Sequence, residues 1–393
     1  MSVDLSLIIA DLENKIAAAD SNTPVLNLLQ MVTAAERLTG GKNVYDSAGV
    51  LPTGNEYIGT IAMTADGTIR VYSGDSGGWD TLDSSSYTAP VPPWTFQGST
   101  SGYVTGGNSP TTTNVIEKFS FVSDGNSTDV GDLTRNILNP GTGGSSSTDG
   151  YQLSGGNPGQ VVTVDKFSFA SDGNAATTNN HVAHSSSSYS SSEYAAYQVA
   201  GVNPWPAGFT TRISKYEFAA DTSNTNVGDT ATISLNSYAC NSGTVLYAYG
   251  GANAAITTIN AIEKFPFATE GTMTDVGDLT VARRFGGAAG QGQNSSSHGY
   301  ASGGTPWPSA TIHNTIDKFS FASDGNATDV GDTTVSAFEK NGTSSTASGY
   351  GAGGDLGPAV TNVIDKFPFS TDANATDVGD LLIAHKTEGA MQV

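Results

Sequence analysis

The sequence predicts a mainly β chain whose C-terminal three quarters form a six-bladed β-propeller. Three observations carry that expectation. A Lys-aromatic-x-Phe string occurs six times, at Lys118, Lys166, Lys215, Lys264, Lys318 and Lys366, in steps of 48, 49, 49, 54 and 48 residues. A fixed period of this size marks a propeller, a solenoid or an array. Ahead of each lysine runs a second recurrent string, an aromatic followed by small residues and usually closed by Gly-Gly, as in 102–107 and 299–304. The composition fits short strands and tight turns: Gly numbers 48 and only 13% of residues are charged. Gly and small hydroxyl residues favour turns over helix interiors.

Charge narrows the partners. With 37 acids against 16 bases, the formal net charge is −21. Nucleic acid is excluded as an expected partner, because phosphate binding needs clustered Lys and Arg. No apolar run reaches the roughly 18 residues of a membrane span, so no membrane insertion is expected. The first fifteen residues lack a basic n-region and a cleavage site, so no signal peptide is read there. A single cysteine, Cys240, allows no intrachain disulfide and no thiolate cluster. No cofactor is expected.

Four regions follow from these patterns. Residues 1–42 read as a helical attachment or oligomerisation segment. Leu5, Ile8, Leu12 and Ile16 fall at helical spacing on one stripe. Thr23 as N-cap and Pro24 at the first helical position open a second helix, with Leu28, Leu29 and Val32 on its apolar side. Two such helices enclose no core alone. They are expected to pair with other copies or with other proteins of an assembly; the alternative is a helical hairpin lying on the propeller. Residues 43–83 read as a small β module around Asp66-Gly67, a strong hairpin signal. Residues 84–97, with Pro90, Pro92 and Pro93, read as an extended linker. The propeller takes 98–393.

Within the repeat, 278–332 is one full unit. Its four strand-like pieces are read around RFGGAAG (284–290), GYASGG (299–304), TIDKFSF (315–321) and TDVGD (328–332), with Asp324-Gly325 turning the third into the fourth. Period two places Asp317, Phe319 and Phe321 on one face and Ile316, Lys318 and Ser320 on the other. Both faces carry apolar groups, as a strand between two neighbouring sheets requires. Gly-Asp ends the fourth piece in five units; the second unit has NNHVAH (179–184) instead. To close the ring, either the segment 388–393 or the segment 94–98 supplies a strand ahead of 102–107.

Possible chemistry is sparse. Asp324, Asn326, Asp329 and Asp332 offer hard oxygen ligands of the kind calcium takes. They recur in most units, so turn geometry is the first expectation and no metal is assigned. The five histidines, His181, His184, His298, His313 and His385, have no ligand spacing and are expected on loops. No nucleophile elbow, phosphate loop or HExxH occurs, and no catalytic residue is expected. The units differ most after Gly-Gly, where 203–208 and 305–310 each set a Trp between prolines. Trp205 and Trp307 either fold back over their own blades or are exposed as candidate binding residues for a sugar face or a protein partner.

The repeat resembles the kelch β-propeller family. Kelch units share its order of strand, Gly-Gly, aromatic-bearing strand and turn into a fourth strand, and 281–290 (VARRFGGAAG) resembles their junction. The chain departs at the fourth strand, where Thr128, Thr274 and Thr328 stand in place of the usual Trp. The string 59–82 (GTIAMTADGTIRVYSGDSGGWDTL) looks like modules near the front of tail-fibre and adhesin-like proteins of marine, cyanophage-like bacteriophages. Together these resemblances imply a virion structural protein rather than an enzyme. A tail fibre or other surface appendage is the leading form. The N-terminus would join a homo-oligomer and other virion proteins, and the propeller would adhere to a host surface glycan or protein. A polysaccharide-active propeller enzyme and a purely structural collar or decoration protein are the alternatives.

Overall fold

The computed structural model describes residues 97–393 except 109–110, 138–141, 154–161, 183–184, 203–207, 285–291, 307–310 and 387–388, together with four short strands between residues 44 and 81. The helical segment read at 1–42, with Leu5, Ile8, Leu12, Ile16, Leu28, Leu29 and Val32, lies outside the described residues. The chain divides into two compact units, Met1–Pro92 and Pro93–Val393. In the first, Val44–Tyr45, Ile61–Thr64, Ile69–Gly74 and Gly78–Thr81 form one four-stranded sheet. Val44 runs parallel to Met63, and the other pairings are antiparallel.

The second unit is a six-bladed β-propeller, six four-stranded antiparallel sheets in sequence around one axis. In blade four the strands from axis to rim are Tyr238–Asn241, Val245–Tyr249, Ala261–Pro266 and Thr274–Asp278. Blade one is built from both ends of the unit. Its inner strand is Gly389–Gln392, hydrogen-bonded to Ser101–Thr105, followed by Thr113–Ser120 and Thr128–Ile137. Of the two segments proposed for closure, the C-terminal one does it. Residues 97 and 98 form no strand of that blade; Gly98 instead makes an isolated parallel bridge to Ser345.

The inner strand of blade five that the structure describes is Gln293–Asn294, and Arg284 makes an isolated bridge to Thr305. The rest of the piece read around 284–290 lies outside the described residues. Asp324-Gly325 lies in the connection between the third and outer strands, as read from the sequence, and blade five spends residues 321–327 on it, between Ser320 and Thr328. Blade two keeps its outer strand, Ala176–Asn180, although Gly-Asp is missing there.

The recurrent strings are the seams between blades. Each second-strand tyrosine packs on the Phe-x-Phe, or Tyr-x-Phe, of the next blade. Tyr247 meets Phe319 and Phe321 with centroids 5.5 and 4.8 Å apart. Tyr350 of blade six meets Phe119 and Phe121 of blade one at 5.7 and 4.7 Å, so the same contact closes the ring. Aromatic pairs of this kind contribute about 0.5–1.5 kcal/mol each beyond their buried area. The opposite face of the third strand is also packed: Ile316 is fully buried in a cluster with Phe367 and Tyr300. Both faces of the strand are thus apolar, as its sequence alternation requires.

The pivot lysine crosses the same seam. Lys118 pairs with Asp172 (2.9 Å), Lys166 with Asp221 (3.5 Å), Lys215 with Glu270 (3.3 Å), Lys264 with Asp324 (2.6 Å), Lys318 with Asp372 (2.6 Å) and Lys366 with Asp124 (3.0 Å). In each case the acid belongs to the third-to-outer turn of the following blade. Lys118 also stands over the Tyr103 ring at 5.4 Å. Burial pulls its pKa down, but hydrogen bonds to Asp172 and Tyr103 outweigh that and hold it above the ordinary value. These pairs are partly exposed, so each contributes at most about 1 kcal/mol. Their larger role is to fix the spacing of neighbouring turns.

The Gly-Gly pairs have a backbone reason. Gly250 and Gly251 adopt φ of 65° and 87°, the left-handed region where a Cβ is disfavoured, and a Cβ on Gly250 would meet the Arg283 carbonyl at 2.7 Å. Blade three puts Ala200 at the first position, still at φ 55°.

Candidate functional site

A propeller offers three places for function: its axis, its turn face and its loop face. The axis is occupied at the turn end. The inner strands present free edges there, and side chains of neighbouring blades satisfy them. The Gln392 N–H donates to Ser145 Oγ (3.0 Å), the Ser145 N–H to Ser191 Oγ (3.1 Å), Asn241 Nδ2 to the Ser191 carbonyl (2.9 Å) and Asn294 Nδ2 to the Asn241 carbonyl (2.9 Å). The Asn294 N–H donates to Ser344 Oγ (2.9 Å) and the Ser344 N–H to Gln392 Oε1 (2.7 Å). One hydrogen-bonded circuit therefore joins all six blades. The incoming chain lies over it: the Gly98 N–H reaches the Ser344 carbonyl (2.8 Å), and Gln97 Nε2 the Asn294 carbonyl (3.2 Å).

A second circuit lies deeper, at the residue before each pivot lysine. Glu117, Asp165, Glu263, Asp317 and Asp365 are all fully buried there, and Ser214 takes the position in blade three. Each acid is held by the end of the previous blade's outer strand or by the connection leaving it. The Thr280 N–H and hydroxyl donate to Asp317 (2.9 and 2.7 Å), and Arg283 Nη2 lies 2.8 Å from it. Thr134 and Arg135 hold Asp165, and Lys340 with Thr334 holds Asp365. Glu263 takes the N–H groups of Ala231, Thr232 and Ile233 and the Thr232 hydroxyl, with no salt-bridge cation among the described residues. A buried carboxylate needs such donors to remain charged. These acids are consequently committed to the seams. Sequence reasoning placed Asp317 on the Phe319 face but missed its burial and its partner.

Glu117 shows the pH consequence. His385 Nε2 lies 3.0 Å from its carboxylate, Ser127 Oγ 2.5 Å and the Leu382 N–H 2.6 Å. Burial pushes its pKa up, but the hydrogen bonds from His385 and Ser127, the His385 charge and the Leu382 N–H outweigh that and hold it below 4.5. A depressed folded pKa contributes stability that is complete above the unfolded value and lost as pH falls through the folded one. The melting-temperature gap between the wild type and Glu117→Gln is therefore expected to narrow as pH drops from about 5 to about 3. A gap that stays constant over that window would show that the carboxylate charge contributes nothing. His385 and His181 are both buried, not exposed on loops as expected; His181 packs edge-on against Tyr216 at 5.8 Å.

On the turn face, the calcium candidates serve the seams. Asp324 binds Lys264, Asn326 Oδ1 accepts from the Asp278 N–H of the preceding blade (3.1 Å), and Asp329 Oδ1 accepts from the Gly331 N–H (3.2 Å). The Asp332 N–H donates to Asn374 Oδ1 of the next blade (3.1 Å). Turn and seam contacts engage the side chains of Asp324, Asn326 and Asp329, and no cluster of metal-ligating side chains occurs among the described residues.

The loop face gathers the connections between second and third strands and the links from each outer strand to the next blade. Trp205 and Trp307 lie outside the described residues; the strands that flank them, ending at Val202 and Ser302 and resuming at Phe209 and Thr315, open onto this face. In blade four the loop 250–260 is fully described. Asn253 Oδ1 accepts from the N–H groups of Ala255 (3.0 Å) and Thr257 (3.1 Å), which fixes a tight projecting turn. In blade six Asp355 Oδ1 accepts from the Gly357 N–H (2.7 Å), and Asp355 also pairs with Lys386.

The class that this geometry defines is a six-bladed β-propeller with a closed turn face and a variable loop face. The chain matches no known protein family, and a search of curated proteins returns no match.

Proposed function

We propose that the chain is a surface-binding protein, a tail-fibre-type virion component of the kind its 59–82 string resembles, with a kelch-like propeller that adheres to the host surface. One observation carries the reading: the propeller is polar. The chain enters over the axis at the turn face, where Gly98 bonds Ser344. The connections that differ most between blades lie at the opposite end. An entry on one face and variable loops on the other is the arrangement of a display scaffold, since loops carry recognition on a fixed frame. The buried acids, which a polysaccharide-cleaving reading would need free, are each held by a neighbouring blade.

The test uses the full chain, fluorescently labelled, on a panel of marine bacterial cells. Retention on at least one strain is expected. Exchange of loop 250–260 for the blade-one loop 106–112 should lower retention at least about tenfold while the melting temperature holds. No retention on any strain, or full retention after the exchange, overturns the proposal.

A further inference from the structure

The buried acids of the seams are not all matched alike. Among the described residues, the cations set against them are Arg135 on Asp165, Arg283 on Asp317, Lys340 on Asp365 and His385 on Glu117. Arg and Lys keep their charge across the neutral range, whereas imidazole ordinarily titrates between pH 5 and 8. The seam between blades six and one therefore carries the titratable partner. It is also the seam at which the ring closes without a covalent tie. In blades two to six a hairpin links the inner strand to the second, as Tyr238–Asn241 leads to Val245–Tyr249. In blade one the inner strand Gly389–Gln392 meets Ser101–Thr105 through hydrogen bonds.

His385 stands just ahead of that closing strand and bridges the seam. Its carbonyl accepts from the Gly354 N–H of blade six (2.9 Å), and its ring reaches Glu117 Oε1 on the third strand of blade one (3.0 Å). Both side chains are buried. The charged groups around them are otherwise committed. Lys386, next in the chain, is taken by Asp355 and Glu339. Lys340, whose side chain passes Gly354, is taken by Asp365. Lys118, next to Glu117, is taken by Asp172. Asp129, opposite Glu117 on the outer strand, is exposed and accepts from the Gly131 N–H (3.0 Å). The carboxylate of Glu117 is the charge that meets the imidazole.

We propose that the His385–Glu117 pair is a pH-operated latch on ring closure: the closing strand is held while His385 is charged and is the first inner strand to open when the ring becomes neutral. The attraction between the two groups is mutual. The His385 charge is among the causes that hold Glu117 below its ordinary value, and the carboxylate in turn favours the charged imidazole. A cation favoured in the folded state contributes stability that is full in acid and is lost as pH rises through its titration. An imidazole ordinarily deprotonates near pH 6.5, so the loss falls above that value. Local opening needs less free energy than global unfolding, and a strand with no hairpin tie is placed to open locally.

The test is hydrogen exchange of the full-length protein, read by mass spectrometry on peptides that contain 389–392 and 238–241. Each rate is divided by the random-coil rate at the same pH, and the two protections are compared. The protection of the closing strand relative to blade four is expected to fall about tenfold between about pH 5.5 and about pH 8.5, the effect of one pKa unit. His385→Gln, which keeps an N–H donor for Glu117 without a charge, should hold that ratio low and flat. His385→Lys, which copies the Lys340 arrangement, should hold it high and flat. In wild-type protein labelled with [15N]histidine, one imidazole should titrate above about pH 6.5, and the fall in the ratio should follow its midpoint. A wild-type ratio that stays constant within about twofold or rises with pH overturns the latch. So does an equal fall in His385→Gln. Should neither variant fold, the absence of an imidazole midpoint that coincides with the wild-type fall overturns it.

Discussion

Removal of residues 389–393 is expected to abolish the cooperative unfolding transition. Those residues supply the inner strand of blade one, and no other described segment pairs with the free edge of Ser101–Thr105. Met391 is fully buried among Tyr103, Ile116, Leu133 and Phe167. Loss of a buried Met side chain alone costs about 2–5 kcal/mol. Gln392 links Ser145 and Ser344 in the axial circuit, so its loss also leaves two inner edges unsatisfied. Domains are stable by only about 5–15 kcal/mol. The truncated chain should therefore show weak near-UV ellipticity and a broad, shallow melt. A single sharp transition within a few degrees of the intact protein would show that closure resides elsewhere.

The second large effect concerns the buried pairs. Asp317→Ala should destabilise the propeller by about 3–5 kcal/mol, because it strands a buried guanidinium. Arg283 has no exposed surface, and its Nη1 is already committed to the Gly303 and Thr315 carbonyls at 3.0 Å each. Adding Arg283→Met should restore much of the loss, since an apolar replacement removes the uncompensated charge. Lys264→Ala, which breaks a partly exposed seam pair, should cost no more than about 1 kcal/mol. Urea denaturation of the three variants separates these values. Equal losses for Asp317→Ala and Lys264→Ala would show that the buried circuit is not the stronger one.

Much of the fold was legible because the seam residues are chemically loud. Lysine beside two aromatics at a regular step is readable without coordinates, and so is the count of six. The described inner strand was not read because it carries no strand signal of its own. Gln293–Asn294 is two polar residues, and its position follows from hydrogen bonds to Ser344 and Asn241 in neighbouring blades. The lysine was seen as a pivot without its partner, since Asp324 lies 60 residues from Lys264. His385 was hidden in the same way: Glu117, which explains its burial, is 268 residues away. Pairings at such separations leave no local pattern. The loop face was legible as variable, while the positive φ of Ile256 in loop 250–260, 63°, is a backbone property that a residue name does not reveal.

The entry of the chain has a mechanical consequence. Residues 97–100 lead straight into Ser101–Thr105, which is laddered on one side to Gly389–Gln392 and on the other to Thr113–Ser120. Tension applied at residue 97 along that strand loads both ladders lengthwise. Every hydrogen bond then bears the pull at once, and none can be peeled open in turn. A blade gripped in this shear geometry resists rupture far better than one unzipped from an edge.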